Sequence, residues 1–479
     1  MRALLFIVIF IEGYVVLAAE LLAIRLVTPL VGASTDTISV IIAAVLLPLA
    51  FGYHAGGNYR RRHTKRKKPS NLRRKLVMNI LVAALFLSLA LSYPVVNGFF
   101  DLLGKMDIHA RVPQTIIWCL AFLVAPIYLL GQTIPLVSNY FSSGVLSQVT
   151  GRMLFFSTIG SFMGSVFTTI VLMAHIGVNN TVIINIFLLA LLVFLLTDKK
   201  YILHRVFALM LFVLTLGINN TQLLERKYDV VSNNHYNTLR VREVPGTNAR
   251  VMMQNNNAST AFDDKRGPLF IYTQYINSAF IRPLMATEEK EDILLLGGGG
   301  LTIGYNDEQN NYTYVDIDPA TKPVSEDLFL KFKMTPNKKF EGLDARAFLR
   351  ENDGKQKYDL IVLDAFAAGK TFPEHLVTRE YFKEVKAALK DGGQMVMNVL
   401  ACPNFEDTFS VNLDNTVRSV FPMVNRTVVS KHYNAWDSYR SPNQGICLVN
   451  VMYSARLDPD YKNEGDVYAD LKNKAFIDR

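Results

Sequence analysis

Hydrophobic residues are distributed unevenly along this chain. Up to about residue 218 they form long runs separated by short polar segments, and beyond it they form the short runs typical of buried strands. A helix needs about 20 mainly apolar residues to cross a bilayer. Six segments meet this length, with a marginal seventh at 202–218; the six are 3–30, 37–57, 76–97, 114–138, 153–175 and 179–197. The pattern predicts an α-helical transmembrane bundle of six or seven spans.

Polar and small residues inside these runs indicate how the helices pack. Glu20 and Arg25 lie within the first run, where a charge is costly unless it faces the bundle interior, so we expect them to pair within the protein. An ion or substrate path is the alternative. Gly160 and Gly164 share one helical face, and this spacing allows two membrane helices to approach closely.

Positive charge is concentrated in one loop. Residues 60–75 contain ten Lys and Arg and no acid, so removing them from the net charge of +9 leaves −1 for the rest. The basic pI therefore belongs to this loop, and we expect no nucleic-acid partner. The positive-inside rule places the loop and the N-terminus in the cytoplasm. His204 and Arg205 interrupt segment 202–218, so we favour a cytoplasmic second half; a seventh crossing would place it outside.

The second half alternates between strand and helix patterns. A small β-subdomain is predicted from 236 to about 280, and a helix at 378–390 begins at Thr378 and stops at Gly392 and Gly393. Strands are predicted at 293–297, 312–316, 358–363, 393–399, 424–429 and 446–452. This alternation predicts a parallel sheet with ligands at the carboxyl ends of its strands. We expect a transmembrane domain at 1–218, the β-subdomain at 219–285 and a Rossmann-like domain at 286–479.

The strongest chemical signal is a glycine cluster followed by an acid. An apolar run ends in Gly297, Gly298, Gly299 and Gly300, and the next apolar run ends at Asp316. This is the pattern of a nucleotide-binding βαβ unit, in which a tight turn and a helix N-terminus precede a strand with a carboxylate at its tip. Segment 301–311 has room for a crossover helix of about two turns.

Two further acids follow predicted strands or loops, namely Asp344 and Asp364. Either acid alone could cap the next helix. Three acids on the same sheet edge as the glycine turn favour a ligand site. Cys119, Cys402 and Cys447 have no metal-binding or disulfide spacing, and we expect no metal.

These motifs resemble the spermidine synthase (polyamine aminopropyltransferase) family, which is built like a class I S-adenosylmethionine-dependent methyltransferase. The resemblance runs from about 236 to 453 and rests on segments 297–299, 315–319, 344–349, 364–366, 372–378 and 389–393. The apolar half is similar to bacterial multi-span proteins with a fused spermidine synthase-like domain, through segments 20–25, 131–135 and 151–177. The resemblance implies a multi-pass protein of the bacterial inner membrane, with the lipid bilayer as a partner.

The resemblance also implies roles for particular residues. Gly297, Gly298 and Gly299 would form the turn against the cofactor, Asp316 would hold the ribose and Asp344 the adenine amino group. Asp364 would deprotonate the attacking amine, while the substrate side would be lined by Tyr236, Gln254 and Tyr275. The implied co-substrate is decarboxylated S-adenosylmethionine or S-adenosylmethionine, and the implied partners are a small-molecule amine and a second copy in a homodimer.

The departures from the family keep three hypotheses open. Gly300 stands where the family has an acid for the aminopropyl ammonium, and segment 364–367 lacks the second amine-binding carboxylate. Asp316 replaces the usual Glu. The chain is then an aminopropyltransferase of polyamine biosynthesis, a methyltransferase of the same fold, or a transporter or membrane sensor with a non-catalytic nucleoside-binding domain. His375 is either a second acid–base group or a helix-start residue.

Overall fold

The computed structural model describes residues 2–32, 34–62, 70–139, 146–198, 201–351, 357–365, 373–401, 407–421, 423–429 and 449–456. The chain forms two compact units, which we call the helical unit (Met1–Thr238) and the α/β unit (Leu239–Arg479). The three-domain division made from the sequence stays a proposal. Cys119 is buried as a free thiol, whereas Cys402 and Cys447 lie outside the described residues.

Eleven helices and one strand make up the described part of the helical unit. The helices are α1 (Arg2–Val31), α2 (Thr35–Arg62), α3 (Ser70–Ala90), α4 (Tyr93–Lys105), α5 (Arg111–Trp118), α6 (Val124–Gly131), α7 (Thr133–Ser138), α8 (Leu146–Val166), α9 (Gly177–Leu196), α10 (Ile202–Ile218) and α11 (Thr221–Tyr228). Strand β1 (Val230–Asn233) follows them. Short π-helical segments connect α5 to α6 (Cys119–Leu123) and extend α8 (Phe167–Met173).

Five helical segments are long and apolar enough to cross a membrane, and the number rises to seven if each of two bent pairs counts as one span. The five are Leu4–Val31, Thr35–Tyr59, Arg111–Ser138, Gln148–Met173 and Gly177–Leu196. One bent pair joins α3 to α4 and the other joins α10 to α11, at 67° and 44°. The marginal segment 202–218 is therefore helical.

The predicted apolar span at 76–97 contains a helix break, and its two parts pass the test for a span together as a bent pair. Helix α3 ends at Ala90, and α4 begins at Tyr93 with Pro94 in its first turn. Proline lacks an amide hydrogen and has a fixed φ, so it fits the start of a helix and disrupts the interior of one. The apolar run is consequently divided between two helices.

The predicted role of Gly160 and Gly164 in packing is confirmed. A Cβ atom at Gly160 or Gly164 would collide with the backbone carbonyl oxygens of Phe10 and Tyr14 on α1. Gly13 on α1 makes the reciprocal approach to the Ser157 carbonyl of α8. Since no side chain separates these backbones, the two helices pack closely along this stripe.

Arg25 has several hydrogen bonds near the end of the helical unit. Its guanidinium donates to the Asn234 carbonyl at 2.6 Å, to Asn233 Oδ1 at 3.1 Å and to Thr238 Oγ1 at 3.2 Å. These bonds satisfy a buried charge within a strongly apolar bundle. The pairing of Arg25 with Glu20 stays a prediction.

The α/β unit begins with an antiparallel meander and continues as an alternating α/β chain. The meander strands are β2 (Thr238–Glu243), β3 (Ala249–Gln254), β4 (Asn257–Asp263) and β5 (Gly267–Pro268). The later strands are β6 (Asp292–Leu296), β7 (Asn311–Val315), β8 (Lys338–Glu341), β9 (Tyr358–Leu363), β10 (Leu389–Ala401), β11 (Met423–Val429) and β12 (Val449–Arg456). The helices are α12 (Ile271–Ile276), α13 (Arg282–Leu284), α14 (Thr321–Val324), α15 (Ala345–Glu351), α16 (Arg379–Ala388) and α17 (Thr408–Arg418).

Seven of these strands form one sheet in the order β11-β12-β10-β9-β6-β7-β8. The five from β10 to β8 in this order are parallel, and β12 runs antiparallel to both β10 and β11. The Rossmann-like architecture is confirmed, but the sheet is mixed and not fully parallel as predicted. Strands β6 and β9 are buried almost throughout, which is why their sequences are continuous apolar runs.

Two sequence predictions about this unit need correction, and part of a third lies outside the described residues. The crossover helix at 301–311 is absent, because turns fill this segment and Leu301 and Gly304 adopt positive φ angles of 58° and 69°. Helix α16 has its predicted cap, a 3.3 Å bond from the Tyr381 amide to Thr378 Oγ1, but it ends at Ala388, and strand β10 includes Gly392 and Gly393. The first part of the predicted strand at 446–452 lies outside the described residues.

A buried carboxylate organises the segment that replaces the crossover helix. Asp307 is fully buried and accepts hydrogen bonds from the amides of Gln309 and Asn310, from Asn310 Nδ2 at 2.7 Å and from the Tyr312 hydroxyl at 2.6 Å. These bonds hold the pKa of Asp307 below its ordinary value, against the effect of burial. The loop is thus ordered by side-chain chemistry and not by a helical backbone.

Candidate functional site

The glycine turn brings the ends of two strands together. Gly297 has a φ of 106°, and a Cβ atom there would collide with the backbone of Asp364 and Ala365. The Gly298 amide donates to Asp316 Oδ2 at 3.1 Å. Only glycine combines this backbone conformation with such close contact. The turn therefore lies between the two acids that follow β7 and β9.

Asp316 is fixed by the backbone around it. Its Oδ1 accepts a hydrogen bond from the Asp318 amide at 2.9 Å, while Oδ2 faces the glycine turn. Burial raises the pKa of Asp316 to about 6, although these amide bonds favour the ionised form. Each carboxylate oxygen can accept two hydrogen bonds, so capacity remains for the hydroxyl groups of a ligand.

Asp344 lies one strand further along the same edge and caps a helix. Its Oδ1 accepts hydrogen bonds from the amides of Arg346 and Ala347, both at 3.0 Å, at the start of α15. Its Oδ2 lies 3.1 Å from His375 Nε2, and this partner is the main reason why the pKa of Asp344 is below its ordinary value. A surface depression of about 440 Å³ adjoins this pair. The sequence allowed a cap or a ligand contact here, and the cap is present.

Asp364 follows β9 and is held by a chain of two amides. Asn398 Nδ2 on β10 donates to Asp364 Oδ1 at 2.8 Å, and Asn450 Nδ2 on β12 donates to Asn398 Oδ1 at 2.9 Å. The Tyr272 hydroxyl also interacts with the Asp364 carboxylate. Burial raises the pKa of Asp364 to about 7, despite these two stabilising contacts. A carboxylate with this pKa can accept a proton near neutral pH.

Gly300 leaves no room for the acid that the resemblance would place there. A Cβ atom at this position would collide with the Thr260 methyl group and the Phe329 ring. Thr260 Oγ1 instead lies 3.2 Å from Thr302 Oγ1, so hydroxyl groups stand close to this position. The absence of a carboxylate side chain at Gly300 is therefore built into the packing.

The three residues predicted to line the substrate side belong to different elements of the chain. Tyr236 belongs to the helical unit, where its ring lies against His235 with centroids 3.8 Å apart and the ring planes tilted by 41°. Gln254 ends β3 and pairs with Leu239 and Asn257 across the meander. Tyr275 lies on α12, with its ring against Phe280. Their role stays a prediction, and the motif residues Phe366 to Phe372 lie outside the described residues.

Several residues at this edge of the sheet were not predicted from the sequence. The groups around Asp364 come from distant parts of the chain, and no local motif predicts them. Tyr272 and Asn398 contact Asp364, and Asn450 contacts Asn398. Ile317 and Leu343 follow β7 and β8 and are 43% and 36% exposed, which is unusual for large aliphatic side chains at a sheet edge. Such side chains suit the flat faces of a nucleobase. The sequence feature that could have indicated this apolar contact is the isoleucine between two acids in Asp316-Ile317-Asp318.

The α/β unit has a Rossmann-type fold in which a glycine turn and three acids lie at the carboxyl ends of the parallel strands. The sequence profile of the spermine/spermidine synthase domain matches residues 269–438. Residues 269–438, less than half of the chain, are thus similar to a spermine/spermidine synthase domain, and Asp316, Asp344 and Asp364 lie within them. Within the described residues, no three His, Cys, Asp or Glu side chains come together as a metal site would require.

Curated relatives share this half of the chain most clearly. The polyamine aminopropyltransferase of Vibrio vulnificus (strain CMCP6) is 35% identical over 163 residues, which are 33% of this chain and 51% of that protein. This chain therefore spans about half the length of that relative. Polyamine aminopropyltransferase 2 of Aquifex aeolicus (strain VF5) is 23% identical over 417 residues, covering 80% of this chain and 76% of that protein.

Solved structures show a more distant likeness. A probable spermidine synthase from Corynebacterium glutamicum ATCC 13032 has 19% identity and a TM-score of 0.38, covering 48% of this chain and 80% of that one. Human methyltransferase-like protein 13, in complex with SAH, has 18% identity and a TM-score of 0.32, covering 40% of this chain and 85% of that one.

Proposed function

We propose that the α/β unit is a spermidine synthase-like aminopropyltransferase, which uses decarboxylated S-adenosylmethionine to alkylate a small amine. The observation that supports this most is the Asp364 carboxylate, fixed by Asn398 at 2.8 Å and raised by burial to a pKa of about 7. An amine must lose its proton before it attacks the carbon beside a sulfonium. A carboxylate whose pKa lies near the working pH is suited to accept that proton.

The other acids have binding roles in this proposal. Asp316 would accept hydrogen bonds from the ribose hydroxyls, and Asp344, beside His375, would receive the adenine amino group. The glycine turn would let the adenosyl group approach the backbone between Asp316 and Asp364. The co-substrate supplies the sulfonium leaving group, so we expect that the reaction needs no metal.

The test is turnover by the full chain in detergent, with product detected by mass spectrometry from decarboxylated S-adenosylmethionine and a panel of polyamines. Asp364→Asn keeps the size of the side chain and removes its basicity, so turnover should fall by about 10²–10⁴-fold. Affinity for the nucleoside should change little. Loss of both turnover and binding would assign Asp364 a structural role, and full activity would show that it is not the base.

A methyltransferase that uses S-adenosylmethionine is the second candidate, and Gly300 favours it. The packing of Thr260 and Phe329 against Gly300 excludes a carboxylate side chain at this position. Such a carboxylate would repel the carboxylate of S-adenosylmethionine and attract the ammonium of the decarboxylated form. Equal or tighter binding of S-adenosylmethionine would support methyl transfer. Binding with no turnover of either compound would support the transporter or sensor hypothesis.

We further propose that the helical unit anchors the protein in the bacterial inner membrane with the α/β unit on the cytoplasmic side. Its five to seven apolar helical segments support membrane insertion. A reporter fused after residue 479 should be active only in the cytoplasm. Activity outside would instead establish 202–218 as a seventh crossing. A homodimer stays a prediction.

A further inference from the structure

The helical unit contains a carboxyl group that the proposed transferase does not use. Glu12 lies on α1, inside the potential membrane span Leu4–Val31, and is only 2% exposed. Its Oε2 atom is fully buried and has no hydrogen-bond partner among the described residues. The neighbours at helical spacing on α1, Val8, Val15 and Val16, are buried hydrophobic residues. The carboxyl group is therefore enclosed on its own helix by apolar side chains.

Glu12 differs from other buried polar side chains of this unit whose hydrogen-bond partners are present. Asn79 Nδ2 donates to Gln132 Oε1 at 3.0 Å, and Arg25 has the hydrogen bonds described above. In the described part of the helical unit, Glu12 is the only carboxyl group with a buried oxygen that lacks a partner. Such a group is retained at a cost in stability, which is typical of residues with a functional role in a membrane.

Few charged or titratable groups act on Glu12. From α2, the electrostatic interaction is with the Tyr53 phenol, which is neutral at physiological pH. Helix α8 faces the adjacent Gly13 with Ser157 and Ser161, whose hydroxyl groups do not titrate. No described cation therefore neutralises Glu12.

An ionised carboxylate in such surroundings is strongly disfavoured, so the group must take up a proton or bind a cation. A desolvated metal ion requires about four to eight ligands, and the described residues provide no cluster of His, Cys, Asp and Glu around Glu12. A proton requires a single oxygen atom. We propose that Glu12 is a proton-binding site of the helical unit, independent of the adenosyl site in the α/β unit.

The protonated form of such a group can be trapped chemically. Dicyclohexylcarbodiimide is apolar and adds to a protonated carboxyl group: the acid proton moves to a carbodiimide nitrogen and the carboxyl oxygen bonds to the central carbon. The O-acylisourea then rearranges to a stable N-acylurea by transfer of the acyl group to nitrogen. The net reaction is an addition, without an oxidant or a leaving group, and it increases the mass of the peptide.

The full chain in liposomes is treated with this reagent at pH values from about 6 to about 9, on either side of neutrality. The adduct is then mapped by peptide mass spectrometry. We expect an adduct at Glu12 that decreases by about tenfold per pH unit above its midpoint, because only the protonated form reacts. Glu12→Gln should lose this adduct. Glu20→Gln is the matched control on the same helix and should retain it.

Three results would overturn the proposal. The first is no adduct at Glu12 at any pH while other acids in the same sample react. The second is labelling of Glu12 by a water-soluble carbodiimide, which would show that the group is hydrated. The third is protection of Glu12 by sodium ions or by spermidine, which would identify a cation site. None of these readouts depends on transferase activity.

Discussion

The raised pKa of Asp364 can be tested as a difference in stability, without knowledge of the substrate. Burial raises this pKa from an ordinary value of 3.8 to about 7. A difference of about three pH units corresponds to about 4 kcal/mol, and because the side chain is only half-buried we expect about 2–4 kcal/mol. Between about pH 4 and pH 7 the folded chain holds a proton on Asp364 that the unfolded chain has released.

The sign of the effect follows from this proton. Wild-type protein should lose about 2–4 kcal/mol of stability as the pH rises from about 4 to 7, relative to Asp364→Asn, which cannot ionise. Above about pH 8 the difference should become constant. The assay is urea unfolding of the α/β unit within the detergent-solubilised full chain, at several pH values. Glu288→Gln, an exposed acid, is the control and should show no such slope. A difference between wild type and Asp364→Asn that does not depend on pH would refute the reasoning.

Three further predictions concern the packing around the site and within the helical unit. Asn398→Leu removes a hydrogen bond that favours ionised Asp364, so the acidic limb of the pH–rate profile should move to higher pH; an unmoved limb would show that the amide does not tune the base. Gly300→Ala should cost about 1–3 kcal/mol, and Thr260→Ser, which removes the opposing methyl group, should recover part of this loss in a double-mutant cycle. Gly160→Leu should lower the thermal midpoint of the helical unit, because its side chain would meet the Phe10 carbonyl, whereas Gly151→Leu, at an open position, should not.

The sequence predicted those parts of the fold that depend on local patterns. Buried strands such as β6 and β9 are continuous apolar runs, and Thr378 caps its helix as its residue type suggests. The acids after successive parallel strands reach one edge because the strands share a direction. For these elements, the residues that determine burial and helix capping are close together in the sequence.

The features that the sequence did not predict depend on distant residues. Strand β8 is short and mostly polar, and only its pairing with β7 makes it a strand. The missing crossover helix reflects the bonds that Asp307 makes within a turn-rich segment. Asn398 lies on β10 and donates a hydrogen bond to Asp364, which follows the neighbouring strand β9. A local sequence motif cannot predict this contact between residues far apart in the chain. The sequence therefore indicated the ligand edge and missed the groups that tune its base.

The most direct test of the proposed adenosyl site is calorimetric titration of the full chain with methylthioadenosine. Wild-type protein should bind, and Asp316→Ala should weaken binding by about 1.5–3 kcal/mol, the range for a hydrogen bond to a charged group. Asp292→Ala, at the opposite end of the neighbouring strand β6, is the matched control and should leave the affinity unchanged. No binding by the wild type, or equal binding by Asp316→Ala and the wild type, would contradict the proposed site.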